Sequence, residues 1–77
     1  MKIENDIELD IFLKNIYILR KQHHKTKKEM SDILGISLYM LNKIEKGVLP
    51  LQLKCDIVFK IYKAFNIHPS LQFKKLL

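Results

Sequence analysis

The chain has 77 residues, 48% of them apolar and 29% charged, with two glycines and two prolines. A chain this short makes one domain that buries about 60% of its unfolded surface, which excludes a two-lobed nucleotide-binding fold, a closed barrel of strands and helices, or a large catalytic cavity. Fourteen basic against eight acidic residues give a net charge of +6. The imbalance is uneven: residues 1–10 carry Lys2 against Glu4, Asp6, Glu8 and Asp10, while residues 11–77 carry thirteen cations and four acids. A basic body this small points to a polyanionic partner.

The scarcity of glycine and proline predicts a mostly helical chain. Its breaks fall at Gly35, at Gly47-Val48-Leu49-Pro50 and at Asn66-Ile67-His68-Pro69. The first helix is expected from about Asp6, as N-cap, to Gln22, with Leu9, Phe12, Leu13, Ile16, Leu19 and Arg20 on one face. Ile7, Ile11 and Ile18 fall on the opposite face. Loose alternation over residues 1–10 leaves an acidic, extended N-terminal arm open as an alternative.

The second helix opens on Thr26-Lys27-Lys28-Glu29, a capping box in which the Thr26 hydroxyl accepts from the Glu29 amide and the Glu29 carboxylate reaches back. Met30, Ile33 and Leu34 give its buried face, and Gly35 supplies the left-handed residue that ends it. Ser37 caps a third helix with Leu41 and Ile44 inward, closed by Gly47. A fourth is expected from Leu51 to Phe65, with Leu53, Ile57, Ile61 and Phe65 at steps of four. Pro69 suits the first turn of a fifth that ends near Leu77. The expected architecture is an all-α domain of five helices.

Two short helices joined by Gly35-Ile36-Ser37 have the helix-turn-helix form, in which the second helix is offered to the major groove of DNA. The corner needs a glycine to turn, an apolar residue (Ile36) to pin it, and a small residue (Ser31) where the helices approach. All three are present. Over roughly residues 12–72 the chain resembles the phage repressor and Cro-type helix-turn-helix regulators of bacteria, the xenobiotic-response-element class. The resemblance rests on TKKEMSDILGISLYMLNKIEKGVLP, and most specifically on Gly35-Ile36-Ser37, Ile44-Glu45-Lys46-Gly47 and the upstream Arg20.

The resemblance implies a lambda-repressor-like fold, duplex DNA as partner, and a small cytoplasmic transcriptional regulator, a repressor, acting as a homodimer. It implies a structural ion pair between Arg20 and Glu45, and base contacts from Leu38, Tyr39, Asn42 and Lys43. Lysine donates to guanine O6 and N7, asparagine pairs bidentately with adenine, and Leu38 suits a thymine methyl. Thr26 and Lys27 at the positive end of the second helix, with Lys28 and Lys46, are expected on phosphates. Leu49 and Leu51 beside Pro50, or Ile7, Ile11 and Ile18, are expected to form the subunit interface, which would set two recognition helices about 34 Å apart. Leu38-Tyr39-Met40 departs from the family's polar leading residues. Its apolar front leaves a protein-interaction module, of antitoxin or anti-repressor kind, as the alternative.

Other chemistries find little support. Arg20 to Lys28 holds five cations and no acid, but His23 and His24 with the distant Cys55 and His68 lack a zinc spacing, so no metal and no cofactor is expected. Cys55 is expected half-buried, as a small hydrophobe. No catalytic set stands out, and an enzyme is not expected. The acidic start is unlike a signal peptide, no apolar run approaches a membrane span, and no helix suits a membrane surface.

Overall fold

In the computed structural model, which describes residues 5–48 and 51–77, five α-helices are present among the described residues. They are α1 (Asn5–Gln22), α2 (Lys27–Leu34), α3 (Leu38–Glu45), α4 (Lys54–Phe65) and α5 (Pro69–Lys74). Residues 5–10 belong to α1, so this stretch is helical rather than an extended arm, and Asp6 lies inside the helix instead of capping it. Residues 1–4 lie outside the description.

One core joins all but the last helix: Phe12, Ile16 and Leu19 from α1, Met30 and Leu34 from α2, Leu41 and Ile44 from α3, and Ile57 and Ile61 from α4. Its α1 stripe follows the spacing i, i+4, i+7, and the i+3 place within it is taken by a polar residue, Asn15, which is fully buried. Asn15 Nδ2 donates to the carbonyls of Gln72 and Lys75, each at 2.9 Å, and Asn15 Oδ1 accepts from the Leu77 amide at 2.8 Å. These bonds satisfy the buried amide and fasten the C-terminal segment to α1. Phe73 stacks on Phe12, with ring centroids 4.5 Å apart and planes within 4°. Gln72, also buried, donates to the carbonyls of Ile67 and Val58 and so ties α5 to α4.

The ends of α2 and α3 repeat one device. Gly35 (φ +69°) donates its amide to Asp32 O while the Ile36 amide bonds Ser31 O; Gly47 (φ +98°) and Val48 do the same to Ile44 O and Lys43 O. This paired pattern closes each helix with a left-handed glycine just past its end. It also turns Ile36 inward against the core, which sets the corner between α2 and α3. The close approach at that corner needs a small residue, and Ser31 is buried there with its hydroxyl donating to Lys28 O at 2.8 Å. The α2–turn–α3 unit is therefore a helix-turn-helix packed on α1 and α4.

Two further boundaries and two side chains differ from the sequence expectation. The stretch expected to open the fourth helix is a single 3-10 turn, Leu51–Leu53, and α4 begins only at Lys54. Leu53 at its head has no side-chain cap, so the tighter turn takes the place of capped entry. α5 stops at Lys74, because the extended Lys75 carbonyl is drawn to Asn15. Leu9, expected to face inward, is half-buried. Cys55 is exposed rather than half-buried, since it lies on the α4 face opposite Ile57 and Ile61.

Candidate nucleic-acid interface

α3 is an eight-residue helix whose inner face is filled by Leu41 and Ile44 with Met40 packed beside them, which leaves Leu38, Tyr39 and Lys43 facing outward. Leu38 is 43% exposed and Tyr39 67%, and Lys43 and Lys46 are exposed beside them. Ser37 caps the helix, its Oγ accepting from the Met40 amide at 3.0 Å. Lys43 Nζ sits 5.3 Å from the centroid of the Tyr39 ring, one turn back. That cation–π contact holds both side chains on the outer face and is worth about 0.5–1 kcal/mol at an exposed site.

The N-terminus of α2 lies beside this surface. Thr26 Oγ1 accepts from the Glu29 amide at 3.1 Å, and the Thr26 amide donates to Glu29 Oε1 at 2.9 Å, so the capping box is closed. The first-turn amides of Lys27 and Lys28 have no partner within the helix, which leaves donors at its positive end. Lys28 Nζ is turned onto the Asp32 carboxylate at 3.0 and 3.1 Å, an exposed pair one turn apart. Lys27 Nζ reaches across the corner and donates to Asn42 Oδ1 on α3 at 3.0 Å.

The acid at the end of α3 is held away from this face. Arg20 Nε donates to Glu45 Oε2 at 2.7 Å and Arg20 Nη2 to Glu45 Oε1 at 3.2 Å, a bidentate pair whose side chains are only 11% and 9% exposed. Arg20 also donates to the Lys25 carbonyl at 3.3 Å and lies 5.4 Å from the centroid of Tyr17. The last turns of α1 and α3 are thus bolted together, and the Glu45 charge is compensated internally. Residues 20–46 hold seven cations (Arg20, Lys21, Lys25, Lys27, Lys28, Lys43, Lys46) and three acids (Glu29, Asp32, Glu45), a net of +4.

Of the residues expected at a subunit interface, Ile7 is 68% exposed. Ile11 and Ile18 are half-buried, and Ile18 lines an open groove of about 410 Å³ with Leu13, Tyr17, Ile44 and Leu76. Leu49 and the side chain of Leu51 lie outside the described residues. Among the described residues no cluster of His, Cys, Asp and Glu is arranged to hold a metal ion. Sequence reasoning missed the Lys27–Asn42 bond, which depends on how α2 and α3 cross. It also missed Lys60 of α4, whose ammonium stands where a Cβ on Gly35 would be. The Tyr39–Lys43 contact was open to it, because residues four apart on a helix are neighbours.

No family model, curated protein or solved structure matches the chain, and the function is therefore argued from its own residues.

Proposed function

We propose that the chain binds duplex DNA, with α3 in the major groove and the start of α2 on the phosphate backbone, and that it acts as a small transcriptional regulator of the phage-repressor and Cro type. The observation that carries this reading is the internal locking of Glu45 by Arg20, which leaves the outer face of α3 with cations, an amide and apolar groups but no free carboxylate. Phosphates then meet Lys27, Lys46, the Thr26 hydroxyl and the unpaired first-turn amides, contacts that position the protein without choosing a sequence. Leu38, Tyr39, Asn42 and Lys43 are left to meet base edges. Occupancy of an operator would block or recruit a polymerase, and binding as a homodimer in the cytoplasm would call for an inverted repeat with half-sites about one turn apart.

Selection from a library of random duplexes at about 100–150 mM salt tests this, because nonspecific attraction is then partly screened. The expected result is an enriched inverted repeat. Affinity for it should fall on the order of ten- to a thousandfold between about 50 and 200 mM salt, as release of counterions from several phosphates requires. Lys43→Ala should weaken binding while the helical content stays unchanged. No enrichment together with a flat salt response would sink the reading.

One observation favours a second reading. The leading residues of α3, Leu38 and Tyr39, form an exposed apolar front suited to a protein surface. In that case Tyr39→Ala would break a protein complex and leave DNA affinity unaffected. Among the described residues no helix is long and apolar enough to cross a membrane.

A further inference from the structure

The side-chain acceptors at the two helix caps and on α3 each already hold a donor. Thr26 Oγ1 accepts from the Glu29 amide, Ser37 Oγ from the Met40 amide, Asn42 Oδ1 from Lys27 Nζ, and both Glu45 oxygens from Arg20. What remains outward are donors, namely the Lys43 and Lys46 ammoniums and Asn42 Nδ2, together with the apolar side chain of Leu38. The Tyr39 hydroxyl works in either sense.

The orientation of the Asn42 amide is not arbitrary. An ammonium has three donors and no acceptor, so it must face Oδ1, and Nδ2 is turned the other way. The second lone pair of Oδ1 is also a poor target for a base. An amino group donating to it would bring its own partly positive hydrogen beside the Lys27 charge, 3.0 Å from the same oxygen. Adenine N6 and cytosine N4 are such donors, whereas guanine O6 and N7 and thymine O4 are acceptors.

We infer that this surface reads keto bases, guanine and thymine, and that Lys27 enforces the choice by occupying the carbonyl of Asn42. The inference rests on the DNA-binding reading above and departs from the adenine pairing an unengaged asparagine favours. Lys27 is a positioning residue here: it acts on the base through Asn42, in addition to any phosphate it meets. Leu38 complements thymine further through its methyl group.

The test is the same random-duplex selection, carried out on the full chain and on Lys27→Met and Asn42→Ala at one salt concentration. The native chain should enrich half-sites whose contacted bases are guanine or thymine; 7-deazaguanine, which lacks the N7 acceptor, should lower affinity at a guanine, while uracil, which keeps O4 and lacks only the methyl, should cost no more than the Leu38 contact. Lys27→Met should shift the preference at a single position toward adenine, on the order of tenfold relative to the native chain, because the freed carbonyl completes the bidentate pair. Asn42→Ala should flatten that position without any gain for adenine. A Lys27→Met variant that loses the same factor on every sequence, its motif unchanged, would make Lys27 a phosphate contact alone and overturn the inference while DNA binding stands. Adenine enriched at that position by the native chain would overturn it as well. No enriched sequence for the native chain would overturn this inference, and joined to a flat salt response it would remove the DNA-binding reading as well.

Discussion

Replacing Arg20 by methionine probes the contact that joins the proposed recognition helix to the scaffold. The substitution keeps the apolar stem and removes two hydrogen bonds to Glu45, at 2.7 and 3.2 Å, and one to the Lys25 carbonyl at 3.3 Å. With its side chain 9% exposed, Glu45 is then left as a nearly buried charge without a counter-ion. Breaking a buried pair from one side costs about 3–5 kcal/mol, most of it the desolvation of the partner left behind. For a chain of 77 residues the whole unfolding free energy is about 4–12 kcal/mol, so Arg20→Met should bring the domain close to its folding threshold. Urea and thermal unfolding followed by far-ultraviolet circular dichroism would measure it, and the midpoint temperature should fall by at least about 12 °C. Arg20→Met/Glu45→Leu should recover much of the loss, since apolar replacement of both partners removes the orphaned charge. A loss below about 1 kcal/mol, as for an exposed pair, or a double variant no more stable than Arg20→Met, would refute the reasoning.

Thr26→Ala removes the hydroxyl half of the capping box and should cost about 1 kcal/mol in equilibrium unfolding, with the fold retained. Gly35→Ala forces a side chain onto a residue at φ +69°, and the left-handed conformation should cost about 1–2 kcal/mol, with the flexible Lys60 ammonium able to move aside. Asn15→Leu leaves the Gln72 and Lys75 carbonyls and the Leu77 amide unpaired. Amide hydrogen exchange should then quicken across α5 and spare α2 and α3; equal acceleration throughout would mean that Asn15 acts on the whole core instead. Cys55 should react with a thiol reagent in the native state about as fast as in the unfolded chain, and strong native-state protection would contradict its exposed position on α4.

By itself the sequence determined what is settled within a few residues. The Thr26–Glu29 box, the Gly35 terminus and the Ser37 cap each close through bonds between residues three to five apart, so their geometry follows once the backbone turns there. The apolar spacing likewise fixed which faces of α2, α3 and α4 turn inward, and hence that Leu38, Tyr39 and Lys43 stand outside. Tertiary structure decided what depends on distant partners. Asn15 reads as a polar interruption of the α1 stripe, yet it is buried because carbonyls and an amide 57 to 62 residues away satisfy it. The same anchoring ends α5 before Leu77. Lys27 meets Asn42 because α2 and α3 cross at an angle set by Ile36 and Ser31, and fifteen intervening residues carry no local signal of that distance. Hydrogen bonds between near neighbours are fixed by backbone conformation, and those between distant residues only by how the helices pack.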